Sequence, residues 1–429
     1  MKLTYKIEKS NWKITSFGGS VIMFDQMNKL KIEEKIDKEL KKPGSNRGYS
    51  PSLYVKSLIT LLHLGGENIR DMEKLSSDEA LKEIGGFYKI PHISSIGDWL
   101  VRQGGVEGDY ARSATIDGLC KIITYISGVG LNMEKRDSIT LDIDATMIKG
   151  EKYESKKTYK GFKGMSSLMG FVGENGYCVG EEFRNGNISP ATGNLEFIKE
   201  CKRNINNYGI VIKRLRADSA SYQAKIINYC EEKEIEYYIG ADLDESVIKG
   251  INRIAENEWK TYIDRDGISH SKKEVASFVH CMNKSNNSFR IIVLREKIEE
   301  QNLFQEYNYK YKVIATNSSE EPQQVIHFYN ERGNCERYIK EAKYGFGLRR
   351  LPSSSLAGNG VWSKIAMIAY NLFIYIKRII FKGEYRNKIS KSIRYLIYSV
   401  PAKISRHSGK SIILYCNNKL YNQFQEWLL

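Results

Sequence analysis

Residues 137–244 carry the pattern that restricts the fold most. DSITLDIDATMIKG (137–150) alternates apolar and polar positions and is rich in β-branched residues, which predicts a strand. KGFKGMSSLMGFVGENGYCVGEEF (160–183) predicts two more strands joined by a Gly-Glu-Asn-Gly turn. LEFIKECKRNINNY (195–208) is then an amphipathic helix, GIVIKRLRADSA (209–220) a strand, AKIINYCEEKE (224–234) a helix and IEYYIGADL (235–243) a strand. Three meandering strands followed by helix and strand in alternation give a mixed α/β sheet.

The flanking segments read differently. Residues 1–130 are mainly helical: SLYVKSLITLLHL (52–64) is apolar at helical spacing, and GENIRDMEKLSSDEALKEIGG (66–86) supplies two further helices that end at paired glycines. Ser94 and Ser95 offer a cap for another helix, IGDWLVRQ (96–103). Such short, Ser-led helices suit a DNA-binding module or equally a plain helical bundle. Residues 245–315 break the α/β rhythm with four strand-like runs, WKTYID, ASFVHCM, SFRIIVLRE and YKVIATN, and are expected to form a β-rich insertion. A long helix is predicted over 320–344. After the turn GFGLRRLPSSSLAGNG (345–360), the chain is expected to be helical and basic to its end. The segments are therefore 1–130, a helical N-terminal region, the DNA-binding region on the first of those two readings; 137–244, the first part of the core; 245–315, the insertion; 316–380, the second part of the core; and 381–429, a helical C-terminal region.

The candidate chemistry lies in carboxylates. Asp142 and Asp144 sit two residues apart in LDIDAT, on one face of the strand, with Leu141, Ile143 and Ala145 on the other. A carboxylate inside an apolar strand costs free energy unless it is paired or binds a cation. Asp218 ends a second such strand, where it serves equally well as a turn or cap residue. Acids on neighbouring strands are a way to build an oxygen-ligand site for a divalent metal. The third acid is Glu336. Tyr329, Arg332, Glu336 and Lys343 are spaced to fall along one stripe of the 320–344 helix. An acid among cations and a hydroxyl suits a face crossed by phosphates; a solvated helix with i,i+4 ion pairs accounts for the same spacing.

Composition sets the outer limits. The 429 residues carry 66 Lys and Arg against 51 Asp and Glu, a net charge of +15. That excess favours a polyanionic partner. The seven cysteines are scattered, with no C-x-x-C pair, which argues against a zinc site or a disulfide framework and for a reducing compartment. MKLTYKIEKSNWKI has no apolar run of the signal-peptide kind. IAMIAYNLFIYI (365–376) is too short and interrupted for a comfortable membrane span and is expected to be a core helix. Trp259 and Tyr262, in the β-rich segment, are expected in the core, with stacking on a flipped base as the alternative.

Tyr329, Arg332, Glu336 and Lys343 match the Tyr-x2-Arg-x3-Glu-x6-Lys signature of one branch of bacterial insertion-sequence DDE transposases. LDIDAT, the stretch 160–193, RADSASY (216–222) and LLHLGGENIRDMEKL (61–75) resemble the insertion sequence thirteen-eighty group, so the resemblance spans roughly 50–375. It implies an RNase H-like mixed sheet with a β-rich insertion, preceded by the helical region and followed by a helical tail. It places the catalytic, metal-binding acids at Asp144, Asp218 and Glu336, with Asp142 open as a further ligand. It makes Tyr329, Arg332 and Lys343 contacts to the DNA backbone. Two Mg²⁺ ions, replaceable by Mn²⁺, are implied, with strand cleavage releasing a 3′-OH that is then joined to target DNA. The implied partners are double-stranded DNA (the element's terminal inverted repeats and the target) and a second copy of the chain in a homodimer on DNA, with no membrane. The implied location is the bacterial cytoplasm, at the nucleoid. Arg184 and Asn187, in RNGN, match a family segment without an assigned role. Ala220, Ser221 and Tyr222 depart from the Gly and Phe usual after the second Asp, and KGEKYES (149–155) replaces a His-Gly-x-Gln-like run after the first. A relic that only binds DNA, or another RNase H-like nuclease, would carry many of the same residues.

Overall fold

The computed structural model describes residues 7, 11–44, 48–298, 309–406 and 411–428. Among the described residues the first elements are strand β1 (Ile14–Thr15) and helices α1 (Val21–Lys29), α2 (Ile32–Glu39), α3 (Pro51–His63), α4 (Met72–Ser77), α5 (Glu79–Ile84) and α6 (Ile93–Gln103). Ser50 caps α3 by accepting from the Leu53 N–H, and Pro51 takes the first turn, where its missing N–H costs nothing. Every residue of α3 is buried, as expected of a helix that is apolar on nearly all sides. Helix α6 is capped by His92, which accepts from the Ser94 N–H; Ser94 and Ser95, expected as the cap, lie inside its first turn. A small hairpin, β2 (Val106–Glu107) and β3 (Tyr110–Ala111), leads into α7 (Ala114–Met133). By length and composition α7 passes for a membrane span, but two thirds of it is buried inside the protein (67% of the apolar window).

The α/β segment forms as its alternation predicts. It comprises β4 (Ser138–Lys149), a short β5 (Lys156–Lys157), β6 (Lys163–Val172), β7 (Cys178–Asn185), α8 (Asn194–Asn206), β8 (Val211–Ala217), α9 (Ala224–Glu232) and β9 (Glu236–Gly240). In the sheet these strands run β7-β6-β4-β8-β9. β4, β6 and β7 form an antiparallel meander, and β8 and β9 follow parallel to β4. The turn between β6 and β7 requires Gly176, whose φ is +85° and whose absent Cβ would lie 2.7 Å from the Tyr338 ring.

The β-rich segment extends this sheet. Helix α10 (Glu245–Ile251) precedes β10 (Lys260–Ile263), β11 (Ser269–His280), β12 (Phe289–Lys297) and β13 (Tyr309–Thr316). β13 pairs antiparallel with β9, so the strands run β10-β11-β12-β13-β9 without interruption into the core. Part of 245–315, residues 299–308, lies outside the described residues. Trp259 and Tyr262 are both buried, Trp259 under the Arg295 guanidinium at 4.0 Å. At the opposite edge β3 meets β7 through Tyr110 and Arg184, which ties the N-terminal region to the sheet.

Two expectations are corrected. The helix predicted over 320–344 is broken into α11 (Pro322–Asn330) and α12 (Gly333–Gly345). At the break, the N–H groups of residues 331, 332, 334 and 335 donate to carbonyls three residues back, which tightens the turn. The tail is not helical throughout. After α13 (Leu356–Tyr375) and α14 (Ser390–Ile393) come β14 (Ala402–Ser405) and β15 (Ser411–Leu414), and then α15 (Asn418–Leu428). β14 pairs with β15 and with β1, from the start of the chain. A short β-branched run that finds its partner hundreds of residues away leaves no periodic mark of its own.

Helix α13 is buried along almost its whole length and organises the core. The Asn371 side chain donates to Cys178 O and Ile123 O and accepts from the Cys178 N–H, joining β7 to α7. Lys364 forms a buried ion pair with Glu181 of β7, and Ser167 and Ser363 donate to the same carboxylate.

Candidate active site

One face of β4 carries Asp142, Asp144 and Thr146 in succession, and each is held by a different cation. At the buried end, Arg216 of β8 grips Asp142 with two hydrogen bonds, Nε to Oδ1 at 2.6 Å and Nη2 to Oδ2 at 2.9 Å. Both side chains are withdrawn from solvent. The remaining Arg216 nitrogen, Nη1, donates to Phe328 O and to Glu331 Oε2, each at 2.9 Å. Arg265 holds the other oxygen of Glu331 at 2.7 Å. This network fastens the break between α11 and α12 to the centre of the sheet. Burial pushes Asp142 up to about 6 against the pull of Arg216. With both oxygens engaged, Asp142 stands apart from the three acids beyond it.

Those three converge on Arg332. Its Nη2 lies 3.2 Å from Asp144 Oδ2 and 3.6 Å from Asp218 Oδ2, and its Nη1 lies 3.8 Å from Glu336 Oε1. Each acid comes from a different element. Asp144 projects from the middle of β4. Asp218 follows the last residue of β8 and accepts from the Ala220 N–H, so it caps a short turn as well as facing the cluster. Glu336 occupies the first turn of α12, where the helix dipole favours an acid. The register aligns Ile143 with Ala217, which sets Asp144 beside Asp218 at the end of the parallel pair. Exposure rises across the trio, with side chains 15%, 40% and 69% accessible for Asp144, Asp218 and Glu336. The cluster thus opens to solvent on the α12 side.

Three carboxylates around one guanidinium leave an excess of negative charge. Burial pushes Asp144 up to about 6; Arg332 opposes the rise, and Asp218 and Glu336 add to it. Arg332 remains charged: burial disfavours its cation, but Asp144 and the other neighbours outweigh that cost. Its Nε is buried without a hydrogen-bond partner. An all-oxygen donor set with this charge fits a divalent cation of the Mg²⁺ kind. As the side chains stand they share Arg332 rather than a common point. Among the described residues, no three His, Cys, Asp or Glu are close enough to hold an ion.

The remaining members of the expected stripe turn inward. Lys343, near the end of α12, donates to Met147 O at 2.8 Å and to Thr146 Oγ1 at 3.2 Å. Burial, with repulsion from Lys160, lowers its pKa. Tyr329 is buried at the end of α11; a Cβ on Gly240 would meet its hydroxyl at 2.7 Å. The break at 331–332 therefore divides the stripe, with Tyr329 on one helix, Arg332 at the hinge, and Glu336 and Lys343 on the other. Arg184 is fully buried and donates to Thr192 O at 2.8 Å, while Asn187 donates to Asp109 at 2.8 Å. Both support loops at the β7 edge. Arg216 was not singled out from sequence: β8 reads VIKRLRA, so Arg216 is one of three cations with Lys213 and Arg214, and only its register with the buried Asp142 sets it apart.

The chain matches the family described as Transposase DDE domain group 1 across residues 5–426. It belongs to that family. Transposases of DDE families use divalent metal ions, in keeping with the charge of the cluster. Among curated proteins none matches this transposase. Of solved structures, a piggyBac transposase synaptic complex with hairpin DNA is similar over 91% of this chain and 82% of its own, with 12% identity and a TM-score of 0.43. The Drosophila P element transposase strand transfer complex is similar over 58% of this chain and 53% of its own, with 10% identity and a TM-score of 0.26. Likenesses this remote decide nothing about the site, and the family assignment rests on the sequence match.

Proposed function

We propose that this transposase cuts DNA at the ends of an insertion sequence and joins the freed 3′-OH ends to target DNA, with Asp144, Asp218 and Glu336 as its catalytic acids. The convergence of these three carboxylates, from three elements, on one guanidinium is the observation that carries the reading. The strand order β7-β6-β4-β8-β9, with its antiparallel meander and two parallel strands, supports an RNase H-like core. The four residues of the Tyr-Arg-Glu-Lys signature and the matched segments support membership of the insertion sequence thirteen-eighty group. In this reading the trio would hold two Mg²⁺ or Mn²⁺ ions, which when bound supply an activated water and charge neutralisation at the scissile phosphate.

The protein's own residues do the rest. Asp142, Arg216 and Glu331 lock the α11–α12 break against β4, which fixes Arg332 and Glu336 opposite Asp144. Arg332 balances the acids and lies where it can pass to a phosphate oxygen, for which a guanidinium forms charge-assisted hydrogen bonds. Lys343 and Tyr329 anchor the two helices on either side, and the resemblance makes both backbone contacts. The DNA partner is double-stranded, comprising the terminal inverted repeats and the target, and a homodimer would bring two ends together. The net charge of +15 supports a steep fall of affinity with salt.

The test is cleavage and joining of a labelled duplex carrying the element's own end, with Mg²⁺, by wild type and Glu336→Gln. Wild type should cut and join, and the variant should bind the duplex but do neither. A wild type that only binds would make the protein a relic. A Glu336→Gln variant with full activity would place the chemistry elsewhere.

A further inference from the structure

A groove of about 850 Å³ lies beyond the acid cluster, between the turn after α3 and the turn after α12. Its wall carries five cations, Arg70, Lys149, Lys152, Arg349 and Arg350, against two acids, Glu67 and Asp71. Asp71 is turned to its own backbone and accepts from the N–H groups of Glu67 and Asn68. Glu67 does the opposite: it reaches across the groove, where two successive arginines converge on it. Arg349 Nη2 donates to Glu67 Oε2 at 2.7 Å and to Oε1 at 2.9 Å, and Arg350 Nε donates to Oε2 at 3.0 Å. All three side chains remain partly accessible. Burial raises the pKa of Glu67, but the two arginines outweigh it, lower the pKa and hold the carboxylate in its charged form.

Two guanidiniums on one carboxylate make a site with the charge and geometry for an anion with two accepting oxygens, which is also what a phosphodiester presents. We infer that this groove is a binding track for the DNA backbone, and that Glu67 occupies the place of a phosphate until DNA displaces it. The position fits DNA that passes over the acid cluster, a step that rests on the function proposed above. Five residues of β4 separate Asp144 from Lys149, about 16 Å at ~3.3 Å per residue. That is about five base-pair rises along a duplex strand. Lys343 lies between them, fixed to Thr146 and Met147.

The affinity of the full chain for a fluorescein-labelled duplex, titrated with salt, tests this directly. Lys149→Ala/Lys152→Ala/Arg350→Ala should bind more weakly and lose about 2.7 from the slope of log affinity against log salt, ~0.9 for each phosphate contact. Glu67→Gln should bind severalfold more tightly than wild type, because the competing anion is weakened; a folding defect does not produce that gain. If Glu67 only latches the two turns together, Glu67→Gln will bind more weakly or unchanged, and the inference falls. A triple variant that keeps the wild-type slope overturns the groove while leaving the catalytic reading intact. A wild type that binds no duplex removes both.

Discussion

Replacing Arg332 by methionine separates the two jobs that the geometry gives it. In the protein without metal, Arg332 is the cation shared by Asp144, Asp218 and Glu336. A pair about 4 Å apart is worth ~4 kcal/mol at an effective dielectric near 20. Full weight belongs only to Asp144, since Asp218 and Glu336 are solvated enough to add under about 1 kcal/mol each. The cost of burying the guanidinium offsets part of the sum, and the net loss on removal should be about 3 kcal/mol. For 429 residues the entropy of unfolding is about 0.9 kcal/mol/K, so the melting temperature should fall by about 3 °C in EDTA. Mg²⁺ should then restore the variant by more than it stabilises wild type, because no guanidinium competes for the acids. Differential scanning fluorimetry in EDTA and across a Mg²⁺ titration reads both effects. A variant as stable as wild type in EDTA, or one whose loss Mg²⁺ does not narrow, would refute the reasoning.

Asp142→Asn and Asp144→Asn should diverge although they sit two residues apart. The first leaves Arg216 buried with its main partner neutralised and should cost about 3–5 kcal/mol in urea unfolding. The second relieves an excess of carboxylates, so it should be neutral or stabilising without metal while abolishing strand cleavage. His63 is buried, donates to Ala369 O and accepts from the Tyr398 hydroxyl. Burial and then Arg394 lower it from 6.5 to about 3. Below about pH 6.5 only the unfolded chain takes up this proton, so stability falls with pH and is unaffected above that range. The loss near pH 5.5 should be about 1.4 kcal/mol, and most of that slope should vanish in His63→Gln, as followed by urea unfolding from pH 8 to 5. Lys364→Met strands Glu181 in the core and should destabilise by about 3–5 kcal/mol, whereas adding Glu181→Gln should recover much of the loss in the same assay.

The central strands and helices were legible because each carries its own periodicity. The order β4, β6, β7, α8, β8, α9, β9 falls where alternation and amphipathicity place it. The 320–344 helix misled because its periodicity runs on through the break, although Asn330, Gly333 and Asn334, all poor helix formers, mark the place; the turn tightens where Arg216 and Arg265 seize Glu331 and its neighbours. The strands of the tail escaped because both are only four residues long, and β14 finds one of its partners in the distant Ile14–Thr15. Alternation placed Asp142 and Asp144 on one face but could not divide their roles. That division depends on Arg216 standing opposite one and Arg332 opposite the other.

Iron-directed cleavage of the polypeptide tests most directly whether the three acids hold the metal. With Fe²⁺ in place of Mg²⁺, and ascorbate and peroxide added, hydroxyl radicals cut the backbone close to the bound ion. The account predicts cuts near residues 144, 218 and 336, suppressed by excess Mg²⁺ and absent in Asp144→Asn/Glu336→Gln. Cuts clustered elsewhere, or an unchanged pattern in that variant, would contradict it.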